Sequence, residues 1–264
     1  MVAVTGPVAV VTGAGRGIGA ATVAALCRAG WSVLAVDSCA DDPVLGYRLA
    51  CREDLAAVVA TAGEAAKAVI ADVRDPDAML AAVAQAEQRW GGLDAAVACA
   101  GVMAGGKPQW ELDIAVEKAV LDVDLGGVLN LARAAVPALL RRPVPRHGRF
   151  LAVASAAATR GLPQLAAYCA AKAGVGGLIR ALAAELAGTG VTANAVSPGS
   201  TDTAMLTESA RLYGLPLPET FAVQQPHGRL LDPAEIAAVL TFLAGPGSSA
   251  MTGALVPVDG GLAL

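Results

Sequence analysis

Short apolar runs alternate along the whole chain with longer, alanine-rich amphipathic runs. The strand-like runs cover residues 8–12, 32–36, 68–71, 95–98, 149–154, 192–196 and 255–258. The helix-like runs cover residues 18–29, 54–62, 78–90, 111–140, 166–187 and 233–244. This alternation predicts βαβ units, and therefore a doubly wound parallel α/β sheet with helices on both faces. Because no segment rich in Pro, Gly or Ser divides the chain, we expect residues 1–264 to form a single domain.

The composition is unusually apolar, with 55% hydrophobic and 16% charged residues, which raises the question of a membrane protein. The longest uncharged stretch, residues 236–258, contains several glycines and prolines and cannot form one continuous spanning helix. Residues 1–15 lack the basic region and the cleavage-like segment of a signal peptide. We therefore expect a soluble, cytoplasmic protein with reduced thiols and no membrane partner.

Charge and cysteine content argue against other classes of protein. The formal net charge of -4 argues against a nucleic-acid partner. Five cysteines are few and odd in number for a chain of this length, which argues against a disulfide scaffold. Neither His147 nor His227 lies at a metal-ligand spacing from a cysteine, so no metal site is predicted.

A glycine cluster connects the first predicted strand to the first predicted helix, with glycines at Gly13, Gly17 and Gly19. These positions permit a tight turn whose backbone approaches a pyrophosphate, and the helix near Ile18 offers its positive N-terminus to the anion. Alone, such a cluster is also typical of an ordinary strand–helix turn. Its position after the first strand favours a dinucleotide site.

Asp37 ends the second predicted strand. A carboxylate there accepts hydrogen bonds from both adenosine ribose hydroxyls and repels a 2′-phosphate, which favours NAD over NADP. Arg16 would instead support a phosphate, and an aspartate at this point is also typical of a solvated strand end. Further candidate cofactor contacts follow the third and fourth strands, at the edge where ligands bind in open α/β sheets; they are Asp72, Val73, Ala100 and Gly101.

Tyr168 and Lys172 share one face of a predicted helix, and Ser155 follows the strand before it. A free phenol, with a pKa of about 10, is a poor base at neutral pH. A nearby ammonium lowers that pKa, so that Tyr168 takes the proton of an alcohol while a hydride leaves for a nicotinamide. Ser155 would hydrogen-bond the substrate oxygen. Tyr-x-x-x-Lys arises by chance on many helices, but with Ser155 and the glycine turn it favours catalysis.

These motifs identify the chain as a member of the short-chain dehydrogenase/reductase family, which it resembles over essentially its full length, with a Rossmann-type fold. The resemblance rests on residues 12–19, Asp72-Val73, Ala-Gly at 100–101, Ser155, Tyr-Cys-Ala-Ala-Lys at 168–172, Ser-Pro-Gly at 197–199 and Val-Asp-Gly-Gly at 258–261. It implies that Pro198, Gly199, Thr201 and Thr203 line the nicotinamide, with Thr203 contacting its carboxamide. It also implies a homotetramer.

The resemblance further implies that residues 204–225 form a mobile substrate lid. Its apolar side chains suggest a pocket for a hydrophobic, secondary alcohol or its carbonyl compound; they are Met205, Leu206, Leu212, Tyr213, Leu215, Leu217 and Phe221. Such side chains are equally typical of packing inside the fold or at a subunit interface.

Two positions depart from the family pattern. Ala98-Cys99-Ala100-Gly101 stands where the family usually has Asn-Asn-Ala-Gly, and because the first Asn is largely structural, we expect the change to affect the sheet more than the chemistry. Asp124 stands where the family has a catalytic Asn that holds a water in a proton relay from the lysine. An ionised Asp124 would either keep Lys172 charged or itself accept the proton, and the sequence leaves both alternatives open.

Residues 38–52 are an insertion that begins beside the expected ribose site. They form either a neutral surface loop or a cover over the dinucleotide, made by Val44, Leu45, Tyr47 and Leu49. Together with residues 98–101, 123–125 and 160–172, the insertion is similar to the mycofactocin-coupled, carveol-dehydrogenase-like subfamily. That resemblance implies a nicotinoprotein, in which NAD stays bound and is reoxidised in place by the redox carrier mycofactocin.

Three functions follow as alternatives. They are an alcohol dehydrogenase with captive NAD, an ordinary short-chain dehydrogenase with freely exchanging NAD(H), and a non-catalytic NAD-binding regulator. The presence of both Tyr168 and Lys172 disfavours the regulator. The carbon skeleton of the substrate does not follow from the sequence.

Overall fold

The computed structural model describes residues 6–264, so the first five residues of the N-terminal stretch lie outside the described part of the chain. Seven strands lie within it: β1 Val8–Thr12, β2 Ser32–Asp37, β3 Ala66–Ile70, β4 Ala95–Ala98, β5 Arg149–Val153, β6 Thr192–Pro198 and β7 Leu255–Val258. The α-helices are α1 Gly17–Arg28, α2 Arg52–Ala62, α3 Pro76–Trp90, α4 Ile114–Leu121, α5 Gly127–Arg141, α6 Ala166–Glu185, α7 Ala204–Leu212 and α8 Pro233–Ala244.

The strands form one parallel sheet in the order β3-β2-β1-β4-β5-β6-β7. β1 pairs with β2 on one side and with β4 on the other, so the winding direction reverses between β1 and β4. In such sheets the crevice beyond the carboxyl ends of the strands, at this reversal, is where ligands bind. The predicted doubly wound α/β fold is therefore confirmed.

Helices cover both faces of the sheet. Alternate residues of β1 point to opposite faces, with Val8 and Val10 in one core and Ala9 and Val11 in the other. The first core packs against α3, α5 and α6, and the second against α1, α2 and α8. The apolar composition is largely accounted for by these two cores, in which many of the buried side chains are alanine.

Most predicted elements agree with the structure to within two residues. The predicted helix over 111–140 is a continuous helical stretch that begins at Ile114, and a π-helical turn that was not predicted, Asp122–Gly126, joins α4 to α5 within it. By length and composition the helical stretch Ile114–Arg141 could cross a membrane, and half of its most apolar part is buried in the fold. The segment 204–225 contains α7 and a 3₁₀ turn, Pro218–Gln224, that the sequence did not predict.

Candidate active site

A cavity of about 810 Å³ lies at the carboxyl ends of the strands, and its size is typical of a ligand site. Every residue that the sequence predicted to bind the cofactor lines it: Gly13, Arg16, Gly17, Ile18, Gly19, Asp37, Asp72, Val73, Ala100, Gly101, Tyr168, Lys172, Pro198, Gly199, Thr201 and Thr203. Ser155 lines it as well, whereas Asp124 lies behind its wall. The structure thus brings the predicted nucleotide and chemical residues together around one space.

The glycine turn packs too closely for side chains. A Cβ on Gly13 would lie 2.6 Å from the backbone of Ala100, and one on Gly19 would lie 2.0 Å from the Gly13 carbonyl oxygen. Gly13 also has a φ of +64°. At the start of α1, Arg16 does not cap the helix with its side chain. The first amides of α1 are therefore available to an anion, which fits the pyrophosphate of a dinucleotide.

The carboxylate of Asp37 is held at the end of β2 by backbone amides. Its Oδ2 accepts a hydrogen bond of 2.9 Å from the Gly15 amide, and its Oδ1 accepts one of 3.2 Å from the Cys39 amide. Each oxygen keeps a free lone pair, so the group fits the two ribose hydroxyls. The sequence did not predict the role of Gly15, because that role depends on contacts between distant segments. Its amide binds Asp37, and a Cβ on Gly15 would lie 2.7 Å from the Ala50 side chain.

The insertion, residues 38–52, forms one wall of the cavity. Leu45 and Leu49 line it, and Leu45 is buried. The Tyr47 hydroxyl accepts a 2.9 Å hydrogen bond from the Met103 amide, and burial raises the pKa of Tyr47 to about 12. The guanidinium of Arg16 lies over the Tyr47 ring, 5.8 Å from its centre. The prediction for Val44 is wrong: it is 37% exposed, because it lies on the outer side of the loop.

A second contact fastens the insertion to the loop after β3. Arg74 donates a 2.7 Å hydrogen bond to Asp42 of the insertion and pairs through two nitrogens with Asp72. Asp42 is nearly buried by this contact. The insertion is thus held by two contacts, one between Asp42 and Arg74 and one between Tyr47 and Met103.

The lid segment, residues 204–225, forms the opposite wall. Thr203 caps α7, and its methyl group would lie 3.2 Å from a Cβ on Gly17, so the lid begins directly beside the glycine turn. Five predicted lid residues line the cavity: Met205, Leu206, Tyr213, Leu215 and Phe221. Leu212 instead packs near Gly106 outside it. The prediction for Leu217 is wrong, because it is 61% exposed.

Ser155, Tyr168 and Lys172 lie together at the other end of the cavity. The Ser155 hydroxyl accepts a 3.1 Å hydrogen bond from the Ala157 amide, which fixes it just beyond β5. Lys172 Nζ lies 5.5 Å from the centre of the Tyr168 ring and donates a 3.2 Å hydrogen bond to the Val153 carbonyl. Both side chains are almost completely buried.

The pKa of Tyr168 is raised rather than lowered in this structure. Burial is the largest cause, and Asp124 adds to it, whereas Lys172 and Ser155 act in the opposite direction. The expected influence of Lys172 is therefore present but outweighed. A further positive charge beside Tyr168 is needed before its phenolate is favoured.

Asp124 occupies the π-helical turn and is completely buried. Its Oδ1 accepts a 2.7 Å hydrogen bond from the Val102 amide, and its Oδ2 lies 3.3 Å from Lys172 Nζ without another partner. Burial lowers the pKa of Lys172, but Asp124 and Tyr168 raise it by more, so Lys172 is held charged. Burial also raises the pKa of Asp124, against the lowering influence of Lys172 and of the Val102 amide, so the arrangement is compatible with both alternatives for Asp124.

Known proteins with similar sequences are dehydrogenases and reductases, which agrees with the predicted dinucleotide site and with the cluster of Ser155, Tyr168 and Lys172. The family profile described as enoyl-(acyl carrier protein) reductase matches residues 13–263. The chain is 38% identical over 256 residues to cis-4-hydroxycyclohexanecarboxylate dehydrogenase of Sinomonas cyclohexanicum, covering 96% of this chain and 95% of that protein. It is 32% identical over 278 residues to (-)-trans-carveol dehydrogenase of Rhodococcus erythropolis, covering 100% of both.

A solved structure shares the whole fold. The crystal structure of carveol dehydrogenase from Mycobacterium avium in complex with NAD has a TM-score of 0.92 and 31% identity, covering 99% of this chain and 98% of that one. The two chains therefore share their fold over essentially their whole length.

Proposed function

The chain belongs to the short-chain dehydrogenase/reductase family and is an NAD-dependent alcohol dehydrogenase or reductase, and we propose that it interconverts a hydrophobic, cyclic secondary alcohol and its ketone while NAD stays bound. The observation that carries the reaction is the meeting of Ser155, Tyr168 and Lys172 in the cavity whose other end fits a dinucleotide. A non-catalytic regulator would have no need of this buried arrangement.

Residues that line the cavity would hold NAD. The amides at the start of α1 would bind the pyrophosphate and Asp37 would bind the adenosine ribose, while Pro198, Gly199 and Thr203, which the family resemblance assigns to the nicotinamide, line the same cavity. When bound, NAD⁺ supplies the hydride acceptor and a positive charge close to Tyr168.

Ser155 and Tyr168 have different roles toward the substrate. The Ser155 hydroxyl hydrogen-bonds the alcohol oxygen and orients it, and Tyr168 Oη, once ionised, takes the hydroxyl proton. Lys172, anchored on the Val153 carbonyl, stabilises the phenolate through its charge. In ketone reduction the same hydroxyl of Tyr168 returns the proton.

A cyclic alcohol is supported by the relatives and by the lid. Two of the relatives are named for cyclic alcohols, a hydroxycyclohexanecarboxylate and carveol. The lid residues that line the cavity, such as Met205, Leu206 and Phe221, offer apolar surface for a carbon ring.

Retention of NAD is supported by the insertion. Its contacts at Tyr47 with Met103 and at Asp42 with Arg74 hold it against the rest of the cavity wall, and if the insertion has to open before a dinucleotide leaves, breaking them adds a barrier to dissociation. We propose that mycofactocin, the carrier implied by the subfamily resemblance, reoxidises the bound cofactor. The homotetramer and the cytoplasmic location stay predictions.

The test is a mass and absorbance spectrum of the protein as isolated, followed by addition of a cyclic secondary alcohol. We expect NAD to co-purify, one equivalent of reduced cofactor to form, as seen by the absorbance of the reduced nicotinamide, and no sustained turnover on added NAD⁺. Protein that carries no NAD and turns over well with added NAD⁺ would instead support an ordinary short-chain dehydrogenase.

A further inference from the structure

The charges that line the cavity are divided unevenly along it. Its acidic lining residues, Asp37, Asp42 and Asp72, all belong to the adenosine end. Between residues 6 and 264, no carboxylate lines the half that holds Ser155, Tyr168 and the lid. Asp124 lies behind the wall of this half and is paired with Lys172, so an anionic substrate would meet no carboxylate on the cavity surface there.

Arg160 lines this substrate half. Its carbonyl oxygen lies 3.9 Å from the sulfur of Cys169, the residue that follows the catalytic Tyr168, so Arg160 lies next to the catalytic helix, where it is exposed to solvent. One guanidinium nitrogen, Nη1, donates a 2.7 Å hydrogen bond to the Leu262 carbonyl. This bond holds the side chain in place and uses one of its five N–H donors.

The other cationic side chains that line the cavity either pair with carboxylates or lie outside the substrate half. Lys172 pairs with Asp124, Arg74 pairs with Asp42 and Asp72, and Arg16 lies at the glycine turn. Within the described residues, Arg160 has no carboxylate within 4 Å of its nitrogens. Of the described residues that line the substrate half, Arg160 is thus the cation that no carboxylate of the protein neutralises.

We propose that Arg160 determines specificity by binding a carboxylate at the end of the substrate remote from the reacting hydroxyl. The substrate class is then a cyclic hydroxy acid, with its ring against the lid and its carboxylate at the guanidinium. A planar guanidinium binds a carboxylate through two parallel hydrogen bonds, which favours this anion over a neutral group of the same shape. This inference rests on the proposed function, because it names the substrate class of the same site.

The first test compares two substrates of nearly equal shape, 4-hydroxycyclohexanecarboxylate and its carboxamide. We expect the wild type to prefer the carboxylate by about tenfold or more in kcat/KM, mainly through KM, and Arg160→Gln to abolish that preference. Activity on the carboxamide should change little in Arg160→Gln. The control Arg28→Gln, which removes the same charge from an exposed position on α1, should leave the preference intact. A carboxylate preference that survives in Arg160→Gln overturns the inference.

A second measurement separates this inference from the proposed function. Cyclohexanecarboxylate lacks the hydroxyl and cannot react, so its binding to the protein as isolated is measured by calorimetry without turnover. We expect binding to the wild type and to Arg28→Gln, weakened about tenfold or more in Arg160→Gln. Such binding without any alcohol oxidation would contradict the proposed function alone. Carboxamide oxidation together with equal cyclohexanecarboxylate binding by wild type and Arg160→Gln would contradict the role of Arg160 alone.

Discussion

Lys172 Nζ lies 3.3 Å from Asp124 Oδ2, and both side chains are almost completely buried. Burial raises the pKa of Asp124, whereas the contact with Lys172 lowers it and so favours its ionised form. When ionised, Asp124 offsets the charge of Lys172 and raises the pKa of Tyr168. Ionisation of Tyr168 then depends on the positive charge that oxidised NAD supplies, which would link the base to the state of the cofactor.

Asp124→Asn should move the pH profile of alcohol oxidation to lower pH. Oxidation needs the phenolate and rises with pH through the apparent pKa of Tyr168, and removal of the Asp124 charge lowers that pKa. We expect the acidic limb of kcat/KM to move by about one pH unit. Asp122→Asn, which removes a more exposed carboxylate from the same turn, is the control. An unchanged pH profile in Asp124→Asn would show that Asp124 does not influence the ionisation of Tyr168.

Tyr168→Phe should keep NAD and lose alcohol oxidation. Only one hydroxyl is removed from a buried ring, so the fold and the cavity are preserved. Loss of the group that takes the proton should lower kcat about 10²- to 10⁴-fold, as measured by formation of reduced cofactor. Tyr213→Phe, which removes a lid hydroxyl bound to the Pro163 carbonyl, should retain most activity. Near-normal turnover of Tyr168→Phe would remove Tyr168 as the base.

Local sequence motifs anticipated much of the fold and the lining of the cavity. The glycine turn and Tyr168 with Lys172 are patterns whose spacing and chain order specify their geometry. The π-helical turn was missed because one extra residue per turn leaves no clear mark in an apolar periodicity. The orientations of Val44 and Leu217 were wrong because loop side chains follow no period, and Arg160 became apparent only from the charges around it.

Tyr47→Ala should release NAD faster. The change removes the hydrogen bond to the Met103 amide and the ring beneath Arg16, so the insertion loses its contacts across the middle of the cavity. We expect the exchange of bound NAD for isotopically labelled NAD, followed by mass spectrometry, to accelerate about tenfold or more. Val44→Ala alters an exposed neighbour in the same loop and should exchange like the wild type. Equal exchange in both variants would show that the insertion does not retain the cofactor.

Asp37→Asn should narrow the preference for NAD over NADP. The amide keeps an acceptor oxygen for the Gly15 or Cys39 amide, but it no longer repels a 2′-phosphate. On cofactor-depleted protein, we expect the ratio of the two Kd values to fall about tenfold or more, mainly through tighter NADP⁺ binding. Asp77→Asn, an exposed carboxylate on α3, provides the charge control. A ratio that does not change would mean that Asp37 does not select the cofactor.

Gly126 and Gly127 lie where the π-helical turn meets α5, and replacing each with alanine should change the stability of the protein in opposite directions. A Cβ on Gly127 would lie 2.5 Å from a methyl carbon of Val73, so Gly127→Ala forces Val73 or the helix to move and should destabilise the protein by about 1–3 kcal/mol. A Cβ on Gly126 would have no contact closer than 3.6 Å. Because its backbone is helical, Gly126→Ala should stabilise the protein by about 0.5–1 kcal/mol. Denaturant unfolding of the two variants measures both signs, and destabilisation by Gly126→Ala would show that the turn itself requires glycine.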